Sequence, residues 1–73
     1  MVSNTIKKIR QKIFLSQEEF AKELNVSVST INRWETGKVK PNLTAMKKLK
    51  RFCEKNNLKF DALESEWLNE TQN

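Results

Sequence analysis

The chain contains two capped, amphipathic segments that are separated by only three residues. Ser16 and Glu19 have the spacing of a capping box, in which each side chain binds the other residue's backbone N–H at a helix start. The apolar residues that follow recur at helical spacing as far as about Leu24. Ser27 is then the candidate N-cap of the next helix. Residues 25–27 therefore form a turn so short that the two helices must cross at about 90–120°.

The rest of the 73-residue chain carries the same helical signals. It contains one Gly and one Pro, and no stretch alternates apolar and polar residues for long enough to predict a strand. We expect helices over about residues 5–13, 16–24, 27–36 and 42–55, followed by an acidic helix with a frayed tail in residues 60–73. A chain of this length forms one domain at most, so the predicted fold is all-α, a compact arrangement of five helices.

Charge is unevenly distributed along the chain. The net charge is +5, but residues 1–59 contain all 14 Lys and Arg residues and only five of the nine acids. Residues 60–73 contain the other four acids and no basic residue. Residues 1–59 are therefore a basic core, and residues 60–73 an acidic C-terminal helix and tail. A basic body is typical of proteins that bind a polyanion, although a basic surface can also serve solubility alone.

The chain lacks the residues that several classes of function require. The chain has no His and a single Cys, Cys53, so we expect neither an internal disulfide nor a metal site, and Cys53 is interpreted as a small buried hydrophobic residue. It has no Gly-rich phosphate loop and too little length for a sizeable pocket, so neither enzymatic activity nor a cofactor is expected. Without a long apolar run or a signal-peptide pattern, we expect no membrane association and a cytoplasmic location.

The corner and its flanks resemble the helix-turn-helix of the Cro and lambda-repressor-like (XRE-type) DNA-binding family. The matching residues, at fixed spacing, are Gln17, Phe20, Ala21, Leu24, Val26, Ser27, Ile31, Trp34, Glu35 and Gly37, with Pro41 after them. Asn25 departs from the pattern, because the family usually has Gly there. The resemblance covers nearly the whole chain and implies binding of double-stranded DNA by a helix-turn-helix at helices 2 and 3. It also implies that the chain is a transcriptional regulator of the repressor type.

The outer face of the third helix is the expected site of base recognition. With the apolar residues of this helix facing the core, the outer face carries Val28, Ser29, Asn32 and Arg33. The guanidinium of Arg33 matches the acceptor edge of guanine, and the amide of Asn32 matches adenine. Ser29 is short enough to lie at the groove floor, and Val28 suits a thymine methyl group. For each of the four residues, a solvated helix face or a phosphate contact is the alternative.

A second group of residues is expected to contact DNA phosphates. The resemblance implies this role for Gln17 at the start of the second helix, where a helix N-terminus also favours an anion. The other candidates lie at the start of the third helix and in the segment after it, and they are Ser27, Thr30, Thr36, Lys38 and Lys40. Thr30 alternatively stabilises the helix start, and the two lysines alternatively serve solubility.

The resemblance also implies one structural ion pair. Arg10 lies on the apolar side of the first helix, and Glu35 follows the core residue Trp34. Members of the resembling family often pair an arginine and a glutamate at these two places, which would join the first helix to the end of the third.

The apolar residues of the acidic helix have two interpretations. Leu63, Trp67 and Leu68 either close the small core or form a contact between two copies of the chain, since resembling repressors dimerise near this end. A homodimer would bind a palindromic operator whose half-sites lie about one helical turn of DNA apart.

Alternatives to a free-standing repressor stay open from the sequence. The same fold occurs in antitoxins and in controllers of restriction-modification operons, and the polar end of the chain is also typical of a linker in a longer protein. A module that binds another protein through the helical bundle is the alternative from a different class.

Overall fold

The computed structural model describes residues 1–71, and these residues form five α-helices. They are α1 (Val2–Lys12), α2 (Gln17–Leu24), α3 (Val28–Glu35), α4 (Leu43–Lys55) and α5 (Asp61–Thr71). The predicted all-α fold is confirmed. The observed bounds of α2, α3 and α4 lie within one residue of the expected ones, but α1 begins three residues earlier than expected. Within residues 1–71, no helix has the length and apolar character needed to cross a lipid bilayer.

Side-chain caps explain where the central helices begin. At the start of α2, Ser16 Oγ accepts a hydrogen bond from Glu19 N at 3.1 Å, and Glu19 Oε1 accepts one from Ser16 N at 2.8 Å. Both bonds of the expected capping box are therefore present. Ser27 caps α3, and Asn42 caps α4 by accepting a hydrogen bond from Ala45 N at 2.9 Å. These caps satisfy backbone N–H groups that have no partner within the helix.

The hydrophobic core lies where the five helices meet. The rings of Phe20 and Phe52 pack edge to face, with centroids 5.1 Å apart and an interplanar angle of 76°. Each helix contributes at least one large, completely buried side chain, and together these are Ile6, Phe20, Ile31, Leu49, Cys53 and Leu63. Burial raises the pKa of the Cys53 thiol to about 11, which fits the expected small buried hydrophobic residue.

Helix α5 closes one side of this core. Leu63 is completely buried, and Trp67 packs against the core while its Nε1 donates a hydrogen bond to the Pro41 carbonyl oxygen at 2.7 Å. Leu63 is one of the three residues predicted either to close the core or to contact a second copy. Because its side chain is enclosed by its own chain, it does not lie on the surface that a second copy would meet.

The end of α5 is tied to the start of α1. Glu70 Oε2 accepts a hydrogen bond from Val2 N at 3.1 Å, and the Glu66 carboxylate accepts one from the Thr5 hydroxyl. The first turn of α1 has no side-chain cap of its own, so α5 supplies a partner for its backbone. Residues 69–71, which belong to the segment expected to fray, are helical, and residues 72–73 lie outside the described part.

Candidate nucleic-acid interface

The corner between α2 and α3 has the short turn that the sequence predicts. Asn25 adopts left-handed backbone angles, with φ 56° and ψ 48°, and Val26 N donates a hydrogen bond to the Ala21 carbonyl oxygen at 3.0 Å. Ser27 is extended and begins α3. Asn is the non-glycine residue that best tolerates left-handed angles, so the chain can make this turn without glycine. The turn therefore sets the orientation of α3 relative to α2.

Helix α3 has one buried and one exposed face. Ile31 is completely buried and Trp34 almost so, which anchors the helix in the core. The opposite face carries the four residues expected to contact bases, and all of them are exposed: Val28, Ser29, Asn32 and Arg33. A helix anchored in this way can present its outer face to a partner without loss of core packing.

A shallow surface groove gathers these four residues with two others. It is lined by Gln17, Val28, Ser29, Asn32, Arg33 and Lys38. The six residues come from the start of α2, the exposed face of α3 and the segment that follows α3. They provide two carboxamides, a hydroxyl and two positive charges, and no acid lines the groove. Such a set suits a partner that is anionic and rich in hydrogen-bond acceptors.

Three other hydroxyl residues in and beside α3, Ser27, Thr30 and Thr36, do not line this groove and make local hydrogen bonds. Ser27 Oγ accepts a hydrogen bond from Thr30 N at 3.1 Å and lies 2.8 Å from Thr30 Oγ1. Thr36 Oγ1 donates to the Asn32 carbonyl oxygen at 2.9 Å. Ser27, Thr30 and Thr36 therefore stabilise the two ends of α3, whatever else they bind.

Lys40 is also separate from the groove. Its Nζ donates a hydrogen bond to the Glu70 carbonyl oxygen at 2.8 Å and lies 3.8 Å from Glu70 Oε1. The structure therefore brings Lys38 together with the exposed face of α3, whereas it connects Lys40 to α5.

Arg10 and Glu35 are in direct contact with each other. Arg10 Nε donates to Glu35 Oε2 at 2.7 Å, and Arg10 Nη2 donates to Glu35 Oε1 at 2.9 Å. The hydrogen bond that Arg10 donates to Glu35 is the main cause that raises the pKa of Arg10 above its ordinary value. Arg10 Nη1 also donates to the Leu15 carbonyl oxygen at 2.8 Å, so the guanidinium connects α1, the turn after it and α3.

One contact in this region was missed by the sequence reasoning. Gln17 Nε2 donates a hydrogen bond to Glu35 Oε1 at 3.0 Å. The two residues lie 18 positions apart on different helices, so no local pattern indicates that they meet. The resemblance gave each residue a separate role, and only the packing of α2 against α3 joins them.

A second, mostly apolar groove lies between α4 and α5. Its lining residues are Leu43, Met46, Lys47, Lys50, Phe60, Glu64, Trp67 and Leu68. Leu43 is 61% exposed and Leu68 is 41% exposed, so both present apolar surface to solvent. Trp67 and Leu68, the other two residues considered for contact between copies, therefore border a surface groove, unlike Leu63.

Together, the five helices, the three-residue turn and the donor-rich face of α3 define a helix-turn-helix domain. A family model described as helix-turn-helix matches residues 6–56, more than two thirds of the chain. The chain belongs to the Cro and lambda-repressor-like (XRE-type) helix-turn-helix family, which binds DNA, generally to regulate transcription. Comparisons with curated proteins and with solved structures yield no match.

Proposed function

We propose that this chain is a sequence-specific transcriptional repressor that inserts α3 into the major groove of double-stranded DNA. The observation that carries the proposal is the groove beside α3, which gathers donors from three separate elements on one surface. In a helix-turn-helix, the first helix of the motif lies against the DNA backbone while the second enters the major groove. The positions of Gln17 on α2 and Arg33 on α3 suit these two roles.

Four residues of α3 are assigned to base contacts. Arg33 donates to the O6 and N7 atoms of a guanine, and Asn32 pairs with an adenine. Val28 contacts a thymine methyl group, and Ser29 forms a hydrogen bond at the groove floor. The assignment rests on their common exposed face and on the match between each side chain and a base edge.

The phosphate contacts are assigned to residues around the edge of this face. Gln17 and Lys38 border the groove itself. The others, at the ends of α3 and beyond it, are Ser27, Thr30, Thr36 and Lys40. Lys40 makes its contact only after its ammonium group leaves Glu70, so it contributes less than Lys38.

The proposal includes a homodimer that binds a palindromic operator. The apolar groove between α4 and α5, which Trp67 and Leu68 help to line, supplies the dimer surface. Its lining also includes Lys47 on α4 and Glu64 on α5, and a two-fold axis can bring the lysine of one copy to the glutamate of the other. Sedimentation at high micromolar concentration tests this part, since a monomer alone under those conditions argues against it.

Selection of bound duplexes from a random DNA pool tests base recognition. The wild type should enrich an inverted repeat, and Arg33→Ala should lose one defined G·C preference within each half-site. Arg51→Ala is the matched control, because Arg51 lies on α4 in a different groove and its loss removes the same charge. An undiminished G·C preference in Arg33→Ala removes Arg33 from base contact, and a pool with no enriched sequence at moderate salt refutes sequence-specific binding.

The direction of regulation has its own test. A recovered operator is placed across the promoter of a reporter gene, and the chain is expressed beside it. A repressor lowers reporter output, and mutation of the operator restores it. A rise in output would identify an activator instead.

A further inference from the structure

We infer that Glu35 is a positioning residue for DNA binding, because it holds the carboxamide of Gln17 in the orientation that donates to a phosphate. The inference rests on the proposed phosphate contact of Gln17. It goes beyond the ion pair with Arg10, because it gives Glu35 a second role that acts through α2.

The chemistry of the carboxylate fixes the orientation of the Gln17 amide. An ionised carboxylate only accepts hydrogen bonds, so the Gln17 atom that faces Glu35 Oε1 at 3.0 Å must be the nitrogen. The carboxamide of a freely rotating glutamine can present either its oxygen or its nitrogen. Glu35 removes that choice and leaves the second N–H of Nε2 for an acceptor in the groove that Gln17 borders.

The carboxylate itself is held in place by Arg10. Arg10 donates to both Glu35 oxygens, and Glu35 has a side-chain exposure of only 3%. The guanidinium is in turn anchored to the Leu15 carbonyl oxygen at 2.8 Å. Because Arg10 holds Glu35 and Glu35 accepts a hydrogen bond from Gln17, we expect the Gln17 side chain to be ordered before DNA binds.

Ordering of a side chain before binding increases affinity, because less conformational freedom is lost in the complex. One long side chain ordered in advance is worth about a three- to tenfold change in affinity. A phosphate contact carries no base information, so the effect applies equally to every DNA sequence. A 20-bp duplex of arbitrary sequence at low salt is therefore a suitable probe.

The test is a double-mutant cycle with Gln17→Ala, Glu35→Gln and the two combined, each measured where circular dichroism shows a fully folded chain. We expect Gln17→Ala to weaken duplex binding by about three- to tenfold with little change in Tm. Glu35→Gln should weaken it by a similar factor, and the combined variant should bind no more weakly than Gln17→Ala alone. Additive losses would overturn the inference, because Glu35 would then act without Gln17.

A spectroscopic measurement on the wild type keeps the inference testable if Glu35→Gln fails to fold. One carboxamide proton of Gln17 should resonate away from those of solvent-exposed glutamines, because a carboxylate accepts it. Coincidence with exposed glutamines would overturn the inference. If Gln17→Ala binds the duplex as the wild type does, the inference fails and DNA binding stands; if the wild type does not bind, the proposed function fails as well.

Discussion

Arg10 and Glu35 form a bidentate pair that joins the first helix to the end of the third. Two parallel contacts of 2.7 and 2.9 Å hold the groups together, and their side chains are only 13% and 3% exposed. A pair with this geometry and burial differs from surface ion pairs, because loss of one member leaves the other charge with little access to water.

We expect Arg10→Ala to lower the thermal stability of the domain. An unpaired buried carboxylate costs up to about 3–5 kcal/mol, and in a domain of this size each kcal/mol shifts Tm by about 4–8 °C. Thermal unfolding followed by circular dichroism measures the change. Lys8→Ala is the matched control, since it removes one positive charge from an exposed position of the same helix. Equal Tm values for the two variants would show that the pair contributes nothing beyond its charge.

Phe14→Gly should increase the free energy of unfolding. Phe14 adopts φ 58°, a left-handed angle that is unfavourable for a bulky residue, and its side chain is 92% exposed. Glycine relieves the backbone strain and removes almost no buried surface. Part of this gain is offset because glycine has more conformational freedom in the unfolded chain, so we expect the free energy of unfolding to rise by about 0.5–1 kcal/mol. Urea denaturation gives the value. Phe14→Ala keeps a Cβ atom and hence the strain, so an equal gain in that variant would contradict the backbone explanation.

The Cys53 thiol should resist modification in the native state. Its side chain is completely buried, and burial raises its pKa to about 11, so at pH 8 it is both inaccessible and protonated. A disulfide reagent should react at pH 8 only as fast as the domain opens, and quickly in urea. The pKa of the thiol is about 9 in the unfolded chain and about 11 in the folded one, so the folded chain holds this proton more tightly. The resulting contribution to stability is fully present below pH 9 and is lost as the pH rises through 11. Rapid native-state labelling at pH 8 would show that Cys53 is exposed.

Local signals predicted most of the fold, and long-range contacts account for what they missed. Ser16, Ser27 and Asn42 act on backbone groups three residues away, so their caps are visible in the sequence. The early start of α1 is not visible, because Glu70 supplies the hydrogen bond to Val2 from 68 residues away.

The candidate site also combines features that the sequence predicts with contacts that it does not. The exposed face of α3 follows from helical periodicity once its apolar residues are placed in the core. The contact between Gln17 and Glu35 depends on how α2 packs against α3, and the attachment of Lys40 to Glu70 depends on where α5 ends. Residue type and spacing therefore identify candidate side chains, whereas the partners that hold them appear only in the folded chain.

Lys38→Ala should separate phosphate contact from base contact. Lys38 borders the groove beside α3, and loss of one phosphate contact should reduce the slope of log K against log salt concentration by about 0.9. The loss of affinity should be the same for all sequences, so the enriched operator should stay that of the wild type. Titrations of a fluorescent duplex across a range of salt concentrations give the slope. Lys59→Ala, in the segment between α4 and α5, removes the same charge away from α3 and should leave the slope unchanged. A changed sequence preference in Lys38→Ala would instead assign Lys38 to a base.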